Sequence, residues 1–343
     1  MKQGISNYAN QPKHRERSGA AVNMLKYKAL YLEQATEDVY NIIKGELPPG
    51  FELLTLKGNR EEERRALLGK ADFLLVATVK VDDALLDLAP KVKLIQHQGV
   101  GYDNIDVAAA WRRGIPVALT PEGTTVGVAE HTILLILAVY KHLPRAHNSL
   151  RRGEWLQFPL RPHSFELQGK TLGLVGMGRI GREVAKRALP FGCRLIFHDP
   201  YVDEIAEGTG VGLYELAAQA DIVSIHTPLT SQTKGLINAE FLGKMKGSAI
   251  LINTARGGVV DEGALIYFLQ QKRIAGAGLD VFAKEPPDPD NPLFALDNVV
   301  LTPHIAAGTK DALQEKMQAA FANMVRVSRG EEPIHVIRPA KEV

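Results

Sequence analysis

The sequence TLGLVGMGRIGREVAKRAL covers residues 171–189 and places three glycines between an apolar run and a helix-compatible run. The run at 171–175 is typical of a buried strand. Gly176 permits a tight turn, Gly178 lets the backbone approach a ligand closely, and Gly181 lets the following helix pack near the strand. The glycine pattern alone is weak evidence for a dinucleotide-binding unit. With a strand before it and a helix after it, it predicts a dinucleotide-binding unit.

The helix that begins after this turn, at Arg179 and Ile180, would present unpaired N–H groups and a positive dipole end to a pyrophosphate. Asp199 ends the next apolar run, 18 residues beyond Gly181. A carboxylate there can accept both ribose hydroxyls of NAD and would repel the 2′-phosphate of NADP. Residues 200–204 contain no Arg or Lys to compensate. The sequence therefore predicts NAD as the cofactor, with NADP disfavoured.

Short apolar runs alternate with helix-compatible stretches on both sides of the glycine turn. Such alternation predicts parallel sheets covered by helices, so we expect an α/β fold with two Rossmann-like or flavodoxin-like domains. The predicted strands are 27–32, 51–56, 71–77, 93–96 and 116–120 in the first half, and 171–175, 194–198, 221–226, 249–254, 275–282 and 299–303 in the second. The predicted helices are 36–44, 60–68, 126–143, 179–189, 213–219, 239–244, 262–271 and 310–328.

The long apolar helix at 126–143, ended by Pro144, is predicted to bridge the domains, and residues 151–170 read as a loop. The last helix and the tail at 333–337 are predicted to return to the first domain, so that the coenzyme domain is inserted in the substrate domain. The predicted domains are a substrate-binding domain of residues 25–123 and 311–343, and an NAD-binding Rossmann domain of residues 124–310.

The composition of the chain argues against two classes of partner, nucleic acids and membranes. Lys and Arg total 41 and Asp and Glu total 39, so no large basic field is available for nucleic acid. The longest strongly apolar run, 133–139, is far shorter than the roughly 20 residues of a membrane span, so no membrane partner is expected. Cys193 is the only cysteine, which excludes an internal disulfide and fits a cytoplasmic location. Residues 1–24 read as a disordered extension or a mis-assigned start, with a mitochondrial transit peptide as a minor alternative.

Four polar side chains, Arg256, Asp280, Glu285 and His304, come at or after the ends of predicted strands in the second half. Ligands of open α/β sheets bind outside the carboxyl ends of the strands, so these side chains should meet at the cofactor crevice. Protonated His304 can donate a proton to a carbonyl oxygen while Glu285 holds the other ring nitrogen. Arg256 can bind a carboxylate bidentately. Together they suit transfer of a hydride and a proton to a carbonyl beside a carboxylate.

Three of these residues also have a less specific interpretation. Arg256 could be a surface ion-pair residue, Glu285 a solvated acid in a loop, and His304 a capping histidine. Their convergence at three strand ends of one sheet favours an active site. His131, His198 and His226 read as packing or hydrogen-bonded histidines. The ten histidines show no i,i+4 pairing with a third ligand, so no metal site is predicted.

Several separated blocks carry a family pattern: QGVGYDNID (98–106), VAEH (128–131), the glycine turn, HTPL (226–229), NTARGG (253–258), GLDVF (278–282) and TPH (302–304). On these blocks the chain resembles the NAD-dependent D-isomer-specific 2-hydroxyacid dehydrogenases, over about residues 27–337. This family includes D-lactate dehydrogenase, glyoxylate/hydroxypyruvate reductase, D-3-phosphoglycerate dehydrogenase and formate dehydrogenase. The implied activity is an NAD-dependent oxidoreductase that interconverts a small 2-keto acid and its D-2-hydroxy acid.

The resemblance also implies residue roles and a homodimer. Arg256 matches the substrate-binding arginine, His304 the acid/base and Glu285 its partner. Asp280 matches the aspartate that holds the nicotinamide carboxamide. The loop at Val100 and Gly101 matches the one whose N–H groups hold the substrate carboxylate. The remaining predicted contacts are Thr227, Pro228, Thr254, Ala255 and Ala306 for the cofactor, and Gln98 and Gly99 for the substrate.

Comparison within the family narrows the range of expected substrates. Glu285 stands where formate dehydrogenases carry a Gln, and His97 stands where phosphoglycerate enzymes often carry an Arg. Gln98 and Tyr102 suit a small polar 2-keto acid such as glyoxylate, hydroxypyruvate or pyruvate. D-3-phosphoglycerate dehydrogenase remains the alternative activity, since Arg151, Arg152 or Arg161 could bind a phosphate. An NAD-sensing corepressor, which keeps the same Arg, Glu and His, is the alternative of another class.

Overall fold

The computed structural model describes residues 27–58 and 60–339, so the predicted extension at residues 1–24 lies outside the described residues. The α/β fold with two mostly parallel sheets is confirmed. The strands are β1 (Tyr27–Tyr31), β2 (Phe51–Thr55), β3 (Phe73–Val76), β4 (Leu94–His97), β5 (Val117–Ala118), β6 (Thr171–Val175), β7 (Arg194–His198), β8 (Thr209–Gly210), β9 (Ile222–Ile225), β10 (Ile250–Asn253), β11 (Gly276–Leu279), β12 (Val299–Leu301) and β13 (Val336–Ile337).

The helices alternate with these strands as the sequence pattern predicts. They are α1 (Glu37–Gly45), α2 (Glu61–Leu68), α3 (Asp83–Asp87), α4 (Val107–Arg112), α5 (Thr125–Tyr140), α6 (Leu143–Arg151), α7 (Gln157–Leu160), α8 (Arg179–Ala188), α9 (Leu213–Gln219), α10 (Ala239–Lys244), α11 (Glu262–Gln270) and α12 (Lys310–Ser328). The bounds of α9, α10 and α12 agree with the predicted ones. The short helices α3, α4 and α7 and the helix α6 are absent from the prediction.

The first sheet has the strand order β13-β5-β4-β3-β1-β2. Its first five strands therefore follow the flavodoxin-like order 2-1-3-4-5, with all pairs parallel. The strand β13 pairs antiparallel with β5. The helix α12 packs on the same sheet, where Met317, Phe321 and Met324 join a buried cluster with Phe73 and Leu94. Strands from both ends of the chain thus build this sheet.

The second sheet has the strand order β12-β11-β10-β9-β6-β7-β8, with all neighbours parallel. Counted from β6, this is the Rossmann order 3-2-1-4-5-6 with one further strand beyond the sixth. The seven strands exceed the six predicted because β8 was missed. A two-residue edge strand has too few positions to show alternating hydrophobicity. The chain order reverses between β6 and β9, which is where such sheets bind ligands.

The helix predicted over 126–143 is wrong in its C-terminal part. The helix α5 ends at Tyr140, and α6 begins at Leu143 with Pro144 in its first turn. His142 between them has a left-handed backbone with φ of 49°, which interrupts the helical hydrogen bonding. Proline is well tolerated in the first turn of a helix, so Pro144 marks a start here and not a stop.

Within the described residues no single helix is long and apolar enough to cross a membrane, although α5 and α6 together, bent by 62°, pass by length and composition.

Candidate active site

The glycine turn after β6 has the geometry that its three glycines predict. Gly176 has φ of 101°, and a Cβ there would lie 2.7 Å from the carbonyl oxygen of His226. A Cβ on Gly181 would lie 2.3 Å from the carbonyl oxygen of Gly176. At Gly178 a Cβ would meet no described atom within 4 Å, so this backbone faces open space. The first and third glycines therefore shape the turn, and the second leaves an open cradle that fits a diphosphate.

Asp199 lies against this cradle. Its Oδ2 accepts a hydrogen bond from the N–H of Met177 at 2.7 Å, and its Oδ1 accepts from the N–H of Tyr201 at 2.9 Å. The helix α8 begins at Arg179, directly after the turn, and the N–H groups of its first turn have no partner within the helix. Arg179 is exposed and Ile180 half-buried. The turn thus offers N–H donors for phosphate oxygens and a carboxylate for sugar hydroxyls.

The end of β9 forms the opposite side of this switch point. His226 Nε2 is 2.9 Å from Ser224 Oγ, and burial lowers the pKa of His226 to about 3, so the ring is neutral. The hydrogen-bonded interpretation of His226 agrees with this contact. Thr227 Oγ1 and His226 Nδ1 are buried without a hydrogen-bond partner in the described part of the chain. Pro228 follows as an exposed residue. Buried polar atoms without a partner are rare, so the two atoms fit a site that a polar ligand completes.

The turn after β10 is held by Asn253, which sets the position of Arg256. The Asn253 Oδ1 accepts from the N–H of Ala255 at 3.0 Å, and its Nδ2 donates to the carbonyl of Arg256 at 3.0 Å. Thr254 is buried, with its Oγ1 2.9 Å from Thr132 Oγ1 on α5. The Thr254 hydroxyl therefore already makes one hydrogen bond inside the protein, and its contact with the cofactor stays a prediction.

Arg256 reaches across to the loop that follows β4 in the first sheet. Its Nη2 donates to the carbonyl of Gly101 at 3.0 Å, and its Nε donates to Asp103 Oδ1 at 2.9 Å. Its Nη1 donates to the carbonyl of Ala255 at 2.8 Å. A Cβ on Gly101 would lie 1.7 Å from Arg256 Nη2, so this close approach requires glycine. The structure thus brings the predicted substrate loop and the predicted substrate arginine into contact.

The substrate loop itself presents backbone donors. The N–H of Gly99 donates to His97 Nδ1 at 3.0 Å. The N–H groups of Val100 and Gly101 have no hydrogen-bond partner within residues 27–58 and 60–339. Gln98 is buried, and its Nε2 lacks a partner among the described residues. The loop therefore has free backbone N–H groups at the positions that the sequence predicts for carboxylate binding.

His304 and Glu285 form a direct pair. His304 Nδ1 is 2.7 Å from Glu285 Oε2, and both side chains are partly exposed. Glu285 Oε1 accepts from the N–H of Phe282 at 3.0 Å, which fixes the carboxylate. Burial raises the pKa of Glu285, but the hydrogen bond and charge of His304 outweigh it and bring this pKa below its usual value. The carboxylate is therefore ionised, and it accepts a hydrogen bond from the Nδ1–H of His304.

Asp280 lies at the end of β11, beneath the turn that carries His304, and its contact with the nicotinamide carboxamide stays a prediction. Asp280 is completely buried. Its Oδ1 accepts from Thr302 Oγ1 at 2.6 Å and from the N–H of Ile305 at 2.9 Å, and its Oδ2 accepts from the N–H of Ala306 at 2.9 Å. The N–H of Ala306 is therefore already hydrogen-bonded within the protein. Asp280 thus fixes the turn that carries His304, whose N–H donates to the Asp280 carbonyl at 2.8 Å.

Other residues of this network lie outside the sequence-based prediction. His131 Nε2 is 2.9 Å from Thr302 Oγ1, which ties α5 to the group around Asp280. Lys316 Nζ donates to the carbonyl of Ala307 at 2.9 Å, and burial lowers the pKa of Lys316 to about 8. Asp103 was missed as the partner of Arg256. Its position two residues after Gly101, in a loop at a strand end, was the available signal.

Comparisons with known proteins match this chain to a family model and to two curated relatives. Residues 133–306 match the family model described as D-isomer specific 2-hydroxyacid dehydrogenase, NAD binding domain. The D-3-phosphoglycerate dehydrogenase of Archaeoglobus fulgidus is 40% identical over 308 residues, covering 88% of this chain and 58% of that protein. The chain thus spans less than two thirds of that relative. The glyoxylate reductase of Thermofilum pendens is 44% identical over 283 residues, covering 80% of this chain and 83% of that protein.

A solved structure has the same fold. The NADPH-dependent glyoxylate/hydroxypyruvate reductase of Sinorhizobium meliloti, in complex with NADP and malonate, is 31% identical with a TM-score of 0.77, covering 91% of this chain and 96% of that chain.

Proposed function

The chain belongs to the D-isomer specific 2-hydroxyacid dehydrogenase family, and on that premise we propose that it is an NAD-dependent oxidoreductase. The proposed reaction interconverts a small 2-keto acid and its D-2-hydroxy acid. The observation that carries this proposal is the 2.7 Å pair of His304 and Glu285, at the carboxyl edge of the sheet that bears the glycine turn. Arg256 contributes to the charge around Glu285, so the three proposed catalytic residues lie within electrostatic reach of one another.

In the proposed mechanism His304 handles the proton. Reduction of a 2-keto acid places negative charge on the carbonyl oxygen, and the Nε2–H of protonated His304 donates to that oxygen. Glu285 accepts the hydrogen bond of Nδ1–H and so orients the ring for the transfer. The chemistry that NADH supplies when bound is hydride donation. In the reverse direction neutral His304 accepts the proton from the hydroxyl group.

Arg256 and the loop after β4 bind the substrate carboxylate in this proposal. The guanidinium offers a planar fork that matches a carboxylate and polarises the adjacent carbonyl. The free N–H groups of Val100 and Gly101 point to the same function, since backbone donors without partners suit an anion. Gln98, with an unpaired Nε2, would contact the remaining part of a small polar substrate, and Gly99 keeps the loop compact beside His97.

The residues around the glycine turn fit NAD. In this proposal Gly176, Gly178 and Gly181 shape the cradle, and Arg179 and Ile180 contribute N–H groups to the diphosphate. The proposed cofactor contacts at the neighbouring strand ends are Thr227, Pro228, Thr254, Ala255, Asp280 and Ala306. The N–H of Ala306 is already hydrogen-bonded to Asp280, so Ala306 would contribute through its other atoms. The preference for NAD over NADP rests on Asp199.

Replacement of Asp199 with alanine is expected to weaken NADH binding and to raise the ratio of NADPH to NADH efficiency by about 10-fold or more. The carboxylate repels a 2′-phosphate and accepts the ribose hydroxyls, and removing one such charged contact is worth about 1.5–3 kcal/mol. Initial rates with each cofactor measure the ratio. Asp203→Ala, which removes an acid from the same loop but not from the glycine turn, is the matched control. An unchanged ratio in Asp199→Ala would show that the ribose assignment is wrong.

The proposed substrate is a small polar 2-keto acid such as glyoxylate, hydroxypyruvate or pyruvate. His97 stands where phosphoglycerate enzymes often carry an Arg, and burial lowers the pKa of His97 below its usual value. A neutral, buried imidazole gives no attraction to a phosphate, which supports the small substrate over D-3-phosphoglycerate.

A panel of 2-keto acids with NADH, followed by the nicotinamide absorbance, tests this function directly. Glyoxylate, hydroxypyruvate and pyruvate are expected to be reduced with higher kcat/KM than 3-phosphohydroxypyruvate. The reverse order would favour the phosphoglycerate activity. Absence of turnover on every acid, with NADH still bound, would favour a binding role such as the corepressor.

We further propose that the domains follow the two sheets, with residues 25–123 and 311–343 binding substrate and residues 124–310 binding NAD. The location is proposed to be cytoplasmic, supported by the single, buried Cys193, which suits a reducing compartment.

A homodimer is proposed for the assembly, because the segment from α6 to α7 exposes large apolar side chains. Leu150, Trp155 and Phe158 are 59%, 71% and 67% exposed. An apolar surface of this kind marks a protein contact. Sedimentation equilibrium is expected to give about twice the 37.5 kDa chain mass. Trp155→Glu is expected to shift the mass toward the monomer, whereas Tyr201→Glu, which changes an exposed aromatic residue elsewhere, is not. A wild-type mass of one chain would contradict the dimer.

A further inference from the structure

We propose that Asp103 is a positioning residue for the reaction, because it sets the guanidinium of Arg256 in the orientation that a substrate carboxylate requires. This inference rests on the proposed function. Asp103 follows β4 in the first sheet, and Arg256 follows β10 in the second, so their 2.9 Å contact joins the two sides of the crevice.

The hydrogen bonds of Arg256 define its remaining binding capacity. A guanidinium has five N–H donors. Asp103 takes the one on Nε, the carbonyl of Gly101 takes one on Nη2, and the carbonyl of Ala255 takes one on Nη1. Two N–H groups remain, one on each terminal nitrogen. Two N–H donors is the number that a carboxylate accepts in a bidentate pair.

Asp103 is the anionic member of this set. The acceptors of the other two contacts are neutral carbonyls, so only the bond at Nε joins two ionised groups. Without it, Nε–H becomes a third free donor, and the guanidinium can rotate to offer a different edge to the substrate. The carbonyl contacts at Gly101 and Ala255 are then the hydrogen bonds that remain to hold the guanidinium.

The contact is poorly suited to a purely stabilising role. The side chains of Arg256 and Asp103 are 27% and 39% exposed. Partly exposed ion pairs contribute little to folding stability. Orientation of a reacting group has a larger effect, since a displacement of about 1 Å can cost about 100-fold in rate. The effect of Asp103 is therefore expected in the kinetics and not in the melting temperature.

The test uses Asp103→Ala and Asp103→Asn in the full-length protein, with glyoxylate as substrate and oxalate as a competitive inhibitor. Asp103→Ala is expected to raise the KM for glyoxylate and the Ki for oxalate together by about 10- to 100-fold, with a smaller fall in kcat and unchanged NADH affinity. Asp103→Asn is expected to recover most of the loss, because its amide oxygen still accepts from Nε.

Asp106→Ala is the matched control, because the Asp106 carboxylate in the same loop caps α4 through the N–H of Ala109 at 2.8 Å. This variant is expected to lower the melting temperature and to keep the wild-type KM. In an Arg256→Lys background, Asp103→Ala is expected to have little further effect on KM, because both residues act on one contact.

Two results would overturn the inference: an unchanged KM and Ki in Asp103→Ala, or effects of Asp103→Ala and Arg256→Lys that add independently. Both require a wild-type protein that reduces a 2-keto acid. A wild-type protein without such turnover would instead overturn the proposed function, so the two failures are distinguishable.

Discussion

Replacement of His304 with alanine is expected to lower kcat for 2-keto acid reduction by about 100- to 10,000-fold while NADH binding stays near normal. This is the usual effect of removing a general acid, which gives the proton to the carbonyl oxygen in the transition state. Single-turnover kinetics would measure the chemical step, and fluorescence titration would measure NADH affinity. The loss is expected in kcat and kcat/KM together, since the interaction is made in the transition state.

His335 provides a matched control for this experiment. It has a left-handed backbone with φ of 57°, close to the 52° of His304, and its Nε2 is 3.3 Å from Glu122 Oε1. His335→Ala therefore removes a similar histidine–glutamate pair, next to β13 in the first sheet and away from the second sheet that carries His304. It is expected to leave kcat unchanged. Wild-type turnover in His304→Ala would remove His304 from the mechanism.

Replacement of Arg256 with lysine is expected to lower kcat/KM by about 100- to 1,000-fold, with most of the loss in KM. Lysine keeps the positive charge but loses the planar fork, so two parallel charge-assisted hydrogen bonds, worth about 1.5–3 kcal/mol each, cannot form with the carboxylate. Steady-state kinetics on glyoxylate or pyruvate would measure the change. NADH affinity is expected to stay the same, because the contacts of Arg256 are to the substrate loop and to its own turn.

Arg273→Lys is the control for this substitution. Arg273 stacks on the Phe268 ring at 4.3 Å, beside α11. Its replacement changes the same chemical group outside the crevice and is expected to leave KM unchanged. If Arg256→Lys retains wild-type KM and kcat, the carboxylate is bound by other groups, and the proposed geometry of the substrate is wrong.

The local patterns of the sequence predict most of the fold. Alternating apolar runs locate the longer strands because each run records the burial of a single segment. The glycine turn is predicted for the same reason: the left-handed backbone of Gly176 and the close packing at Gly181 are requirements of adjacent residues. The break between α5 and α6 was missed because it depends on the backbone of His142. Pro144 was read as a stop, although it lies in the first turn of α6.

The site residues also divide into features that the sequence predicts and features that it does not. The sequence predicts that Arg256, Glu285 and His304 follow strands, because parallel strands direct their carboxyl ends to one edge of a sheet. It does not predict that Asp280 is buried beneath the turn that carries His304. That burial depends on Thr302, Ile305 and Ala306 folding back over β11.

By itself the amino-acid sequence determined the element order, the cofactor turn and the residue types of the proposed chemistry, because these are properties of short segments. Only the tertiary structure decided which side chains meet across the crevice, such as Arg256 with Asp103, 153 positions apart in the chain. The physical reason is that a strand pattern specifies which face of a segment is buried. It does not specify the distance between the edges of the two sheets. That distance decides which hydrogen bonds form between them.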